Sequence, residues 1–159
     1  MRRTDQRRAA VWALYQSDLL GRPLEQLFSP DTHAFTRALA HVVRERQAEL
    51  DGLISSHASG WTLERIAPLE RSILRVALAE MLHADEIPGE EPIAPEGAIN
   101  EAVETAKQFC GADAPGFVNG ILGTVLEELR AGSVGNPPLQ PDPPAPAPSG
   151  EPRPAREAG

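Results

Sequence analysis

The sequence predicts an all-α fold. Three observations predict it: apolar residues recur at helical spacing through most of residues 4–130, no stretch alternates apolar and polar residues as a strand would, and Ala, Leu, Glu and Arg dominate the periodic segments. A chain of 159 residues is long enough to bury a substantial core as one domain of ordinary size. Residues 1–132 are assigned to that domain and residues 133–159 to a tail.

Thr4 is placed to cap a first helix reaching about Leu20, with Ala10, Val11, Leu14 and Leu19 or Leu20 turned inward. Gly21, Arg22 and Pro23 end it, and a short helical turn fits Leu24 to Phe28. Pro30 and Asp31 announce the next helix. Its stripe of Phe35, Leu39, Val42, Val43, Leu50, Leu53 and Ile54 keeps its spacing to about His57, which predicts one long element. Ser59 and Gly60 break that pattern, Thr62 can cap a short segment to Ile66, and Pro68 opens LERSILRVALAEML. This helix is apolar around well over half its circumference, as expected of an element packed on more than one side and central to the domain. The following loop, Asp85 to Pro95, carries Glu86, Glu90, Glu91 and three prolines, and reads as solvated because no His or aligned Asp accompanies the carboxylates.

The stretch AINEAVETAKQFCGADAPGFVNGIL, Ala98 to Leu122, predicts two helices joined by a tight turn. Ile99, Ala102, Val103, Ala106 and Phe109 form the stripe of the first, and Pro95 sits just inside its start, where a missing N–H costs nothing. Gly111 is expected in the left-handed conformation that closes a helix, since only Gly enters it without a Cβ penalty. Pro115 is expected at the first position of the last helix, with Val118, Ile121, Leu122, Val125 and Leu129 inward, Ala114 at the N-cap and Asp113 serving the free N–H groups. Gly120 inside that helix costs ~1 kcal/mol relative to Ala, and close approach by a neighbouring helix is the expected compensation. After Gly132, nine prolines and almost no large apolar residue predict a disordered tail.

The single cysteine, Cys110, cannot form an internal disulfide, and no Cys/His pair has zinc spacing. His33, His41, His57 and His83 are scattered over different segments, so no metal site and no cofactor are expected. No run of 18 apolar residues and no apolar signal core are present, so the expectation is a cytoplasmic protein with no membrane association. A net charge of -8 argues against a general nucleic-acid binder. Its distribution is uneven, however: Arg2, Arg3, Arg7 and Arg8 against Asp5 make the N-terminal tip basic. Arg7 and Arg8 in a first helical turn oppose the helix dipole. A bound polyanion would remove that conflict, and a solvated arginine tip is the alternative account. Tyr15 lies just off the apolar stripe, where a ring either finishes the core edge or faces a ligand.

Three segments read together, RRAAVWALYQSDL at Arg7 to Leu19, LERSILRVALAEM at Leu69 to Met81, and AINEA, AK, F and FVNG in order within Ala98 to Leu122, resemble the NusB family of bacterial transcription antitermination proteins. The resemblance spans most of residues 4 to 130. It implies an all-helical domain of about seven helices in two packed subdomains. It further implies binding of the single-stranded boxA element of ribosomal RNA transcripts together with the ribosomal protein NusE, in the complex that lets RNA polymerase pass terminators. Under it, Arg2, Arg3, Arg7 and Arg8 become phosphate contacts, Tyr15 and Phe117 match aromatic positions at the RNA surface, and Lys107, the only lysine, adds a phosphate contact from the AK pair. Glu80 and Asp113 match acidic positions near the NusE surface, where they would complement a basic partner. The chain departs from the family in two places. Thr4, Asp5 and Gln6 interrupt the basic run before the first helix, and Gly116 stands where a Lys or Arg commonly precedes FVNG. Fewer positive charges mean less counterion release, so weak boxA binding without NusE is expected.

Two other readings compete. One is a helical protein–protein scaffold or homodimer with little RNA binding of its own. The other is catalytic, because NusB-like domains also precede the catalytic domain of some ribosomal RNA methyltransferases; with only a Pro-rich tail following here, a non-enzyme is expected.

Overall fold

The computed structural model describes residues 2–89 and 92–132, so the tail assigned to residues 133–159 lies outside the described residues. Six α-helices and no strand occur among them: α1 (Arg3–Leu20), α2 (Ala34–Glu45), α3 (Gln47–His57), α4 (Pro68–Leu82), α5 (Pro95–Phe109) and α6 (Ala114–Ala131). Short 3-10 turns at Leu24–Gln26, Leu63–Arg65 and Ala84–Glu86 account for the shorter helical segments.

α4 is the centre of the domain. Ile73, Leu74, Val76, Ala77, Leu78 and Ala79 are all buried, so apolar side chains leave this helix in every direction and each needs a neighbour. The helix packs against all five others. α1 and α2 pack on each other and on α4, α5 and α6 do the same, and α3 touches α2, α4 and α6. Near the end of α6, Arg130 pairs with Glu96 at the start of α5, so these two helices run antiparallel.

Charged side chains are built into this centre too, Arg75 with the most partners. Arg75 of α4 is buried and donates through Nε to Asp51 Oδ1 of α3 at 2.7 Å and through NH1 to Asp18 Oδ2 of α1 at 2.9 Å. Arg44 of α2 reaches the other oxygen of Asp18 at 2.8 Å. Four helices thus meet at one ionic cluster.

Several local expectations are corrected. The predicted long helix is two, broken at Arg46 (φ -102°, ψ 10°). Neither Gly nor Pro marks the break, and the apolar spacing runs through it. Thr4 caps nothing: α1 begins at Arg3, and the Thr4 hydroxyl donates to Glu101 on α5 at 3.0 Å. Gly111 is not left-handed, because the chain leaves α5 through an extended Cys110 (φ -121°, ψ 176°), and the left-handed glycines among the described residues are Gly21, Gly60 and Gly132. Instead the Gly111 carbonyl accepts from Ala114 N–H at 3.1 Å and shapes the turn.

Asp113, not Ala114, is the N-cap residue of α6, which moves Pro115 to the second helical position, still within the turn where no N–H is missed. The Asp113 side chain makes no cap hydrogen bond; its backbone carbonyl accepts from Phe117 N–H at 3.2 Å. Gly120 has no helix close by. It is exposed, and a Cβ built there meets nothing within 4 Å. Gly120→Ala is therefore expected to stabilise the domain by up to ~1 kcal/mol, read as a higher melting temperature.

Candidate nucleic-acid interface

The four arginines of the tip go to different places, because consecutive residues of a helix point about 100° apart. Arg7 faces α4. Its Nε lies 2.8 and 2.9 Å from the two carboxylate oxygens of Glu80, and the two side chains are only 11% and 5% exposed. Burial raises the Glu80 carboxyl above its usual range, and the hydrogen bond and charge of Arg7 pull it back down. Arg7 is thereby removed from the solvated tip and Glu80 from any acidic partner surface. Arg3 donates to Gln6 Oε1 at 3.0 Å and lies 4.1 Å over the Phe35 ring. Arg2 remains on the surface, 3.5 Å from Asp5.

Arg8 turns towards α5 and meets no carboxylate there. Its Nε donates to Thr105 Oγ1 at 3.3 Å and its NH1 to Gln108 Oε1 at 2.7 Å. The Thr105 hydroxyl itself donates to the Glu101 carbonyl at 2.8 Å, which leaves its lone pairs to receive Arg8. The guanidinium also sits 6.0 Å from the Phe109 ring. Neutral partners thus hold this cation in place, and among the described residues no carboxylate pairs with it.

Beside it lie three rings. Trp12 contacts Tyr15 at 5.5 Å between centroids and Phe109 at 5.3 Å, both nearly perpendicular at 82° and 84°. Phe109 is 39% exposed, the last residue of α5, where the helix overhangs the core, so its place on the inward stripe is corrected. Trp12 and Phe109 belong to this surface although neither was among the residues expected there. A signal for Trp12 was present: Arg8, Trp12 and Tyr15 stand at i, i+4 and i+7, one face of α1. Thr105, Gln108 and Phe109 share a face of α5 in the same way.

The other expected residues are apart from the rings. Lys107 is exposed and 3.2 Å from Glu104, so its charge is partly offset. Phe117 is half-buried against the core at the start of α6 and makes no ring contact with the trio. Asp113 is exposed with its carboxylate unused by the helix. Next to Phe109, burial pushes the Cys110 thiol up to about 12, which keeps it in the unreactive protonated form. Among the described residues no helix is long and apolar enough to cross a membrane, and no group of three or more His, Cys, Asp or Glu could hold a metal ion.

The helical fold has counterparts in known proteins. A structure of NusB from T. maritima superposes with a TM-score of 0.68 at 29% identity, covering 80% of this chain and 92% of that one. The solution structure of NusB from Aquifex aeolicus gives 0.67 at 25% identity over 87% and 97% of the two chains. A structure of the antitermination factors NusB and NusE in complex with double-stranded RNA gives 0.65 at 24% identity over 80% and 98%, a likeness that speaks for the fold alone. The NusB family itself matches residues 4–127, nearly the whole of the helical domain, and on that extent the chain belongs to the NusB family.

Proposed function

We propose that the chain is a transcription antitermination factor that binds the single-stranded boxA element of ribosomal RNA transcripts together with NusE, within the complex that carries RNA polymerase past terminators. The observation that carries this reading is Arg8: a cation fixed by Thr105 and Gln108, in ion-pair reach of no carboxylate among the described residues, on the face of α1 that also carries Tyr15. Single-stranded RNA is recognised by that combination, basic groups on the backbone and rings on unstacked bases. Arg2, exposed at the end of α1, extends the positive edge, and Lys107 on α5 adds to it once a phosphate competes with Glu104. The exposed carboxylate of Asp113 supports a basic protein partner near the start of α6.

With Arg7 occupied by Glu80, the surface has fewer cations than the sequence promises, which strengthens the expectation of dependence on NusE. Titrating labelled boxA RNA with and without NusE over a series of salt concentrations tests it. Tighter binding with NusE is the expected result; equal affinity with and without it would refute the dependence, and no binding in either case would refute the function. Leu19 and Leu20, 56% and 59% exposed at the end of α1, favour a second reading as a self-associating scaffold, which sedimentation of the chain alone would detect.

A further inference from the structure

We infer that Trp12 is a base-stacking residue and that, with Arg8, it forms a subsite for one nucleotide of single-stranded RNA. This rests on the RNA-binding reading above and assigns the ring that does the stacking. Trp12 cannot serve the core, because its neighbours Val11 and Leu14 already occupy the buried face of α1 at 4% and 0% exposure. It stands instead between Tyr15 and Phe109 on the outer face. Each T-shaped contact uses one ring face and one ring edge, so the trio does not exhaust its own faces. Arg8 lies one helical turn before Trp12, which sets a cation and a ring about 5–6 Å apart at their Cβ atoms. Thr105 takes the Nε hydrogen of the guanidinium and Gln108 one NH1 hydrogen, leaving NH2 and the remaining NH1 hydrogen to a phosphate oxygen. A phosphate on Arg8 then carries its base over the Trp12 cluster.

The alternative occupant of this face is a second copy of the chain, since Leu19 continues the line of Trp12 and Tyr15 along α1. The charge of Arg8, paired with no carboxylate among the described residues, favours the nucleic acid: an identical face would bring a second Arg8 with it.

The chain has two tryptophans, Trp12 and Trp61, so in a Trp61→Phe background Trp12 is the sole indole. The complex of that variant with NusE, titrated with single-stranded boxA RNA, is expected to show Trp12 quenching whose midpoint matches anisotropy of the labelled RNA. Trp12→Ala is expected to weaken binding by roughly 5- to 150-fold, with Trp12→Phe restoring most of it. Neither substitution should change the dependence on salt, whereas Arg8→Ala should reduce its slope by about 0.7. If Trp12→Ala does not fold, the quenching titration and Trp12→Phe decide alone. RNA that binds without altering Trp12 fluorescence, at an affinity indifferent to Trp12 substitution, overturns the subsite and leaves the RNA-binding reading standing. Failure of the unsubstituted complex to bind RNA overturns both. Dissociation of a self-associated form by Trp12→Ala, with RNA affinity unchanged, assigns the rings to a contact between copies and overturns the subsite.

Discussion

Arg7→Ala is expected to cost about 3–5 kcal/mol of folding stability at neutral pH, an effect of the kind seen when one partner of a buried ion pair is removed. The loss comes from what remains: a Glu80 carboxylate 5% exposed between α1 and α4, without the cation 2.8 Å away. Burial already holds the Glu80 carboxyl above its usual range, with Arg7 acting against the rise. Removing Arg7 lets the rise grow. A carboxyl whose folded pKa exceeds its unfolded value keeps its proton longer in the folded state, so the variant loses stability as pH climbs from the ordinary carboxylate range through the raised value. Below that range both states are protonated and the contribution is flat. The gap between variant and wild type should therefore narrow towards low pH, and Glu80→Gln added to Arg7→Ala should recover much of it. Urea melts across pH check this; a variant as stable as wild type at neutral pH would return Arg7 to the solvated tip.

The second large effect is expected at Arg75. Arg75→Ala leaves Asp51 and Asp18, 21% and 25% exposed, facing a site without its central cation, while Arg44 still holds one oxygen of Asp18. Their partial exposure and the surviving Arg44 bond place the loss near the lower end of the buried-pair range, about 3 kcal/mol. Because the cluster joins α1, α2, α3 and α4, the loss should be global, lowering the urea midpoint with the slope unchanged.

What the sequence made legible was what depends on neighbours along the chain. The apolar stripes of α1, α4, α5 and α6 and the central place of α4 follow from periodicity, and the family was readable in three short segments. The stripes fail at the helix ends, where Leu19 or Leu20, and Phe109, are expected inward and all three are exposed. What stayed hidden depends on residues far apart. Arg7 and Arg8 are adjacent letters of equal charge, and only folding gives one a carboxylate 73 positions away and the other a threonine 97 positions away. Glu80 and Arg75 lie within a helix that reads as apolar, yet each is buried by pairing with another helix. The break at Arg46 has no breaker residue to announce it. Gly111 and Gly120 carry the reasons that glycine often has, yet Gly111 is not left-handed and no neighbouring helix approaches Gly120. Trp12 was visible at helical spacing from Arg8, but its partner Phe109 read as core because nothing local shows that α5 ends beyond the core edge.

The most direct test of the account is the affinity of the chain–NusE complex for single-stranded boxA RNA across salt concentrations, with Arg8→Ala measured beside wild type. Weaker binding by the variant is expected at every salt concentration, with a salt slope shallower by about 0.7, the signature of one lost phosphate contact. Equal affinity and equal slope for the two proteins would contradict it.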